Sequence, residues 1–437
     1  MSVELSMIVK NAERTLARCL DSVRPFVDEI LVADTGSSDS TVEIALEYNA
    51  RLVEVPWNHD FSEARNAALR VGRCDWIIFL DADEVLDREL ASSIPSLTSR
   101  TEVMGYEATI WNYVRTLNTR MLRAAAQPNP RRLEAASTYP GYVEHKNVRL
   151  FRRHPEIVFE GRVHEGVADR MRRLGLKVEQ SEVLIHHLGM AESQAHDRDR
   201  KTAYYQELGK RKLAESPNDV RTCVELGLGE LENLRNPAAA LPYFERAIAL
   251  KPSSNVLWTY AGICLARLGK VQESFEVFAM ARHLGASDPV FFEALGDARY
   301  SSEDFRDSAH CYSLAKIAGS HSSALEAKLG VCEVRLGQAD SGLQRIQRAI
   351  EREPDFGELH DLLMLAALFA GQDNLAKEAA GRRIGLGELS PDSYLVISGM
   401  WRHLHEPQRA AEVLRSGCGQ FPGNELLRSA LYEYEST

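Results

Sequence analysis

Cysteine is sparse and scattered. The seven residues (Cys19, Cys74, Cys223, Cys264, Cys311, Cys332 and Cys418) form no Cys-x-x-Cys and no His/Cys cluster. An odd number at wide spacing reads as reduced, mostly buried thiols and argues against a thiolate zinc site. Long apolar runs are missing too. Trp76–Leu80, the longest beside any motif, is far too short to span a bilayer. The N-terminus enters a strand-like run, Leu5–Val9, without a basic stretch and a longer apolar segment behind it. Neither a signal peptide nor a transmembrane segment is expected, and the expected compartment is cytoplasmic. Positive charge is in deficit: the formal net charge is −11, against a nonspecific nucleic-acid binder. The short pairs Arg131–Arg132 and Arg152–Arg153 read as solvated surface. No Gly-Lys-Ser/Thr occurs, which excludes a phosphate-cradling P-loop.

What is present falls into two rhythms, and 437 residues fit two or three domains. Over residues 1–90, strand signals (Leu5–Val9, Glu29–Ala33, Arg51–Val55, Trp76–Leu80) alternate with helix signals. Asn11 is placed to cap a helix bearing Leu16, Cys19, Leu20 and Val23 on one face. Ser40 with Glu43 has capping-box spacing, and Asp60 with Glu63 opens a third helix. The alternation predicts a parallel sheet with helices on both faces, and such sheets bind ligands at the carboxyl ends of their strands. Residues 91–200 are less regular, with strand-like Gly105–Ile110, a loop over Gln127–Tyr142 whose length suits a lid or substrate loop, and then the segment Val148–Arg152.

From about Thr202 helix pairs take over. Pro217, Pro252, Pro289, Pro354, Pro391 and Pro422 recur at steps near 34 residues or twice that, with small residues where helices touch. This predicts about six degenerate tetratricopeptide-like units over residues 201–437, each needing its neighbours to bury its apolar face. Trp258, Tyr260, Phe291, Phe292 and Tyr394 fall where core packing is the usual explanation.

The segment Phe79-Leu80-Asp81-Ala82-Asp83-Glu84 carries the most chemistry. Carboxylates at i and i+2 after a strand can converge on one hard cation, Mg²⁺ or Mn²⁺, which shares its other positions with water and phosphate oxygens. A departing diphosphate needs such charge neutralisation. An Asp-x-Asp is also common in plain surface turns, and haloacid-dehalogenase-like phosphatases carry it as well. Those place Gly-Thr next, where this chain has Glu84-Val85. Upstream, Asp34-Thr35-Gly36-Ser37-Ser38-Asp39 joins strand to helix. Gly36 permits positive φ, and Asp34 can accept a hydrogen bond from a nucleobase or ribose. A well-capped βα turn is the simpler reading of the same residues.

Together with Leu5-Ser6-Met7-Ile8-Val9-Lys10-Asn11 and Asp60-Phe61-Ser62-Glu63-Ala64-Arg65-Asn66, these blocks make residues 1–200 resemble a family 2 glycosyltransferase of the GT-A fold. Arg149–Arg152, Gly161–Glu165 and Ile185–Gly189 resemble the subgroup with C-terminal tetratricopeptide repeats, similar to bacterial peptide S-glycosyltransferases. The implied architecture is an α/β GT-A-type nucleotide-sugar-binding domain (1–200) followed by an all-α solenoid (201–437).

Carried over, the resemblance implies that Asp34 binds the nucleobase, with Gly36 and the Lys10–Asn11 turn assisting. Asp81 contacts the ribose or metal-bound diphosphate, Arg65 braces the nucleotide site, and Asp83 is the main metal ligand. His187 is a third metal ligand, although adjacent His186 leaves open which of the two faces the metal. Glu165 is the candidate base, or else a structural partner of an arginine, and His164 orients the acceptor or that carboxylate. The family generally inverts the anomeric centre by direct displacement. The expected donor is a UDP-sugar with Mg²⁺ or Mn²⁺; the acceptor is a peptide, protein or glycan, and the repeats bind a protein partner or dimerise the chain. Ala12 stands where the family usually has an acidic residue, with Glu13 next. A competing reading makes the chain a scaffold whose α/β domain is a degenerate nucleotide-binding module.

Overall fold

The computed structural model describes residues 1–121, 124–163, 165–192, 195–387 and 389–435. Residues 1–115 and 127–253 form one compact unit, and 116–126 with 254–437 form the other.

In the first unit β1 (Val3–Val9), α1 (Leu16–Val23), β2 (Glu29–Asp34), α2 (Thr41–Glu47), β3 (Arg51–Glu54), α3 (Phe61–Val71) and β4 (Trp76–Phe79) alternate as expected. Side chains alternate across the sheet. Leu5, Met7 and Ile78 bury against Leu16, Leu20 and Val23 of α1, whereas Leu31 and Ala33 meet Ala64 and Ala68 of α3 on the other face. The chain continues through β5 (Glu84–Leu86), α4 (Arg88–Ala91), α5 (Ile94–Ser99) and β6 (Gly105–Val114). Two short strands, β7 (Arg120–Met121) and β8 (Ala124–Ala125), pair with each other, and β9 (Gln127–Pro128) pairs with β10 (Gly141–Arg152). Then follow α6 (Ala168–Arg173), β11 (Val178–His187), α7 (Gly189–Glu192), α8 (Ala195–Glu215), α9 (Val220–Leu228) and α10 (Pro237–Leu250).

The main sheet has the order β3-β2-β1-β4-β10-β6-β11-β5. Its first four strands are mutually parallel, β6 and β11 run the same way, and only β10 and β5 among the strands of this order depart from the all-parallel expectation. β10 runs antiparallel to β4 and β6, and the described residues joining β6 to β10 include no crossover helix of the kind a parallel pairing needs. β11 lies parallel to β6 and antiparallel to β5.

Three local expectations are corrected. α1 starts at Leu16 rather than behind Asn11, whose backbone takes φ 51°. The Ser40–Glu43 capping box does not form; Asp39 Oδ1 accepts from Thr41 N at 3.1 Å, and Glu13 accepts from Ser40 N at 3.2 Å. Arg152 and Arg153 are tethers rather than free surface, donating to Val103 O, Arg100 O, Cys74 O and Leu69 O.

The residue 200/201 boundary read from the sequence falls inside α8, which the first unit keeps. Tyr204 of that helix accepts from Trp57 Nε1 at 2.9 Å. The second unit runs from α11 (Asn255–Arg267) through α12 (Val271–His283), α13 (Pro289–Ser301), α14 (Phe305–Ile317), α15 (Ser323–Arg335), α16 (Ala339–Arg352), α17 (Gly357–Phe369), α18 (Asp373–Gly385), α19 (Pro391–His403), α20 (Pro407–Gln420) and α21 (Glu425–Glu435). The odd-numbered helices begin a constant 34 residues apart. Gly262 and Gly296 explain the close fit within pairs: a Cβ there would lie 2.7 and 2.6 Å from the rings of Phe278 and Tyr312. The segment 116–126 belongs to this unit; Asn118 Oδ1 accepts from Ser322 Oγ at 2.5 Å and Ala324 N at 2.8 Å. No described helix is long and apolar enough to cross a membrane.

Candidate active site

The carboxyl ends of β1, β2 and β4 lie side by side, with Val9 in register with Asp34. The turns after β1 and β2 interlock. Asn11 N donates to Ser37 Oγ at 3.0 Å, and Asn11 Oδ1 accepts from Ser38 N at 2.8 Å. Asp34 is buried, and its carboxylate accepts from the amides of Gly36 and Ser37 at 3.1 Å, a turn that Gly36 permits with φ 98°. Lys10 is exposed at the same edge.

After β4 the chain enters the Asp81-Ala82-Asp83 turn. Arg65, only 5% exposed, donates from Nη2 to Asp81 Oδ1 and from Nε to Glu165 Oε1, both at 2.5 Å. Its guanidinium lies 5.0 Å from the centre of the Phe79 ring and 5.5 Å from that of Phe159. Burial opposes the Arg65 charge, but Glu165 and Asp81 more than offset it and hold the pKa above the usual arginine value. Burial likewise pushes Asp81 up, and Arg65 and Arg149 outweigh it, leaving the carboxyl well below the usual range. Glu165 thus sits in an arginine pair. His164 lies outside the described residues.

Asp83 faces the other way, toward β11. The antiparallel pairing of Glu84 with His187 carries that strand's end past the turn, so that His187 Nε2 comes 3.4 Å from Asp83 Oδ2. His187 Nδ1 lies 2.8 Å from Asn112 Oδ1. Burial raises the Asp83 pKa and lowers that of His187. Their mutual contact overrides both effects, leaving Asp83 below and His187 above its ordinary value. His186 points into the opposite face. Its Nδ1 meets Tyr113 Oη at 2.9 Å and its Nε2 meets Asp87 Oδ2 at 3.2 Å, 1% exposed. The alternation of the strand therefore puts His187, and not His186, beside Asp83.

An aspartate oxygen and an imidazole nitrogen facing each other are two donors for one divalent cation; the oxygen suits a hard ion, and the nitrogen fits Mn²⁺ better than Mg²⁺. Asp81 does not complete a tight triad with them. Among the described residues, three ligand atoms within 4.8 Å of one another occur only at Glu4, Glu29 and Cys74. Glu4 there already accepts from Arg153 at 3.0 Å and from Arg73 N at 3.0 Å, as a structural anchor.

Four features escaped the sequence reading. Buried Glu84 pairs with Arg149 at 2.7 and 3.0 Å and accepts from Asp81 N at 2.9 Å, bracing the turn. Gly189 admits the Asp83–His187 pair, because a Cβ there would lie 2.0 Å from Asp83 Oδ2. Asn112 touches His187. Lys201 of α8 lies over the Tyr205 ring at 5.7 Å; burial lowers its pKa, but Tyr205, Asp83 and Asp81 raise it further. Glu84, Arg149 and Gly189 stood inside blocks already noted but without these roles, and Asn112 left a signal of its own, a polar amide inside the apolar segment Ile110–Val114.

Residues 5–154 match the family model for glycosyl transferase family 2, and residues 230–289 match a tetratricopeptide repeat model. A TPR repeat-containing protein of Synechococcus elongatus is 33% identical over 236 residues, covering 52% of this chain and 51% of that protein. The SPbeta prophage-derived glycosyltransferase SunS of Bacillus subtilis is 27% identical over 167 residues, covering 38% of this chain and 34% of SunS. A solved tetratricopeptide repeat protein of Parabacteroides merdae superposes at TM-score 0.45 and 12% identity, over 55% of this chain and 96% of its own. The chain spans about half the length of the first of these curated relatives and about a third of the second.

Proposed function

The chain carries a family 2 glycosyltransferase domain followed by tetratricopeptide repeats, and on that premise we propose that it is a metal-dependent, inverting transferase. It moves a sugar from a nucleotide-sugar, a UDP-sugar, to an acceptor on a peptide or protein presented by the repeats. The supporting observation is the facing pair Asp83 and His187, 3.4 Å apart beside the Arg65-held Asp81.

The turns carrying Asp34, Gly36, Lys10 and Asn11 take the nucleoside, and Asp81 takes the ribose or diphosphate. Asp83 and His187 hold Mg²⁺ or Mn²⁺, which when bound supplies charge neutralisation to the diphosphate. The acceptor's nucleophilic atom forms a bond to the anomeric carbon as the bond to the diphosphate oxygen breaks. The nucleoside diphosphate departs with that electron pair. Glu165, fixed at one oxygen by Arg65, takes the acceptor's proton. The odd number and wide spacing of the seven cysteines fit a reducing compartment, the cytoplasm.

The test is turnover of a panel of UDP-sugars with Mg²⁺ or Mn²⁺. Metal-dependent hydrolysis that disappears in Asp83→Ala supports the reading. Neither binding nor turnover of any nucleotide-sugar in the panel sinks it and favours the scaffold.

A further inference from the structure

Asn112 lies within β6, and its side chain bridges three groups. Its Nδ2 is 3.0 Å from Val143 O and 2.7 Å from His145 Nδ1, and its Oδ1 is 2.8 Å from His187 Nδ1. The Val143 carbonyl can only accept, so the nitrogen end of the amide must face it. The oxygen end then faces His187, whose Nδ1 must carry hydrogen to meet it. A neutral imidazole with hydrogen on Nδ1 has its lone pair on Nε2, the atom 3.4 Å from Asp83. Asn112 is 3% exposed, so water does not readily substitute for these bonds.

We propose that Asn112 is a positioning residue that holds His187 as its Nδ1–H tautomer and so presents Nε2, beside Asp83, to a divalent cation. This rests on the metal role proposed for Asp83 and His187. It adds that the orientation of the ligand is fixed from a neighbouring strand, through an amide anchored on Val143. Such outer contacts fix the ring and make its free nitrogen the better ligand.

The test uses the full-length chain and manganese(II) as the probe, in wild type, Asn112→Leu and Asn112→Asp. Calorimetric titration is expected to show affinity about 10- to 100-fold weaker in Asn112→Leu. Asn112→Asp, which retains an acceptor for the Nδ1 hydrogen, should recover part of the loss. The second measurement is independent of metal and of folding defects in the variants. Two-bond ¹H–¹⁵N spectra of wild type, above the titration of the ring, should place the His187 hydrogen on Nδ1. Equal manganese affinity in wild type and a folded Asn112→Leu overturns the inference, as does hydrogen on Nε2 in wild type. Absence of manganese binding by wild type overturns the metal role itself and the inference with it, a result distinct from the other two.

Discussion

Gly189 and Asp83 are matched by a missing atom: a Cβ at position 189 would stand 2.0 Å from Asp83 Oδ2 and 2.9 Å from His187 Nε2. Gly189→Ala must therefore push the carboxylate off the imidazole. A displacement of about 1 Å at reacting groups costs roughly 10²-fold in rate. A loss of that size in kcat/KM, with little change in thermal stability, is expected in steady-state assays. Wild-type activity in Gly189→Ala would remove the Asp83–His187 pair from the site.

Arg65 holds two carboxylates that belong to distant parts of the chain. Arg65→Leu leaves Asp81 and Glu165 without their shared cation in a buried setting. Removing one partner of a buried pair destabilises by about 3–5 kcal/mol, and the partial exposure of Asp81 places this case near the lower end. Urea unfolding measures it. Arg65→Lys, which cannot reach both carboxylates with a fork, should recover only part.

Much of this fold could be read in the residues, and the reason is local. Apolar runs such as Trp76–Leu80, bounded by turn residues, specify strands whatever their neighbours, and Asp60 caps α3 as its spacing suggests. The repeats were legible because proline and small residues recur with the 34-residue step. Contacts across the sheet were not. Asn11 looked like a helix-opening residue, yet it and Glu13 brace the turn after the next strand, 27 residues away. The choice between His186 and His187 depended on the face β11 presents, and the role of Asn112 depended on partners 31 to 75 residues distant. α8 reads as helix in either unit; Trp57 meeting Tyr204 assigns it to the first.

Asp87 supplies the pH dependence. Burial raises its carboxyl, but Arg132, the Leu90 amide and His186 outweigh that and bring it down to about 2. A carboxyl held below its unfolded value stabilises the fold above that value, and the stability is lost as pH falls through the folded one. The window therefore runs from about pH 4 to about pH 2 and is worth about 2 kcal/mol. Asp87→Asn should be less stable at neutral pH and should flatten the stability profile across this window in acid titrations followed by circular dichroism. An unchanged profile would contradict the assignment.

Within the second unit, Gly296→Val drives a side chain into the Tyr312 ring, where even a Cβ would lie 2.6 Å away. Overpacking of this kind costs about 1–3 kcal/mol. Limited proteolysis should open the chain within 254–437 first, leaving the first unit resistant.

Asp83 and His187 are proposed to grip a divalent ion against a nucleoside diphosphate. Anomalous diffraction from crystals soaked with manganese and UDP tests it most directly. A peak within about 2.2 Å of both Asp83 Oδ2 and His187 Nε2 is expected. A manganese peak at Glu4, Glu29 and Cys74, with none between Asp83 and His187, would contradict it.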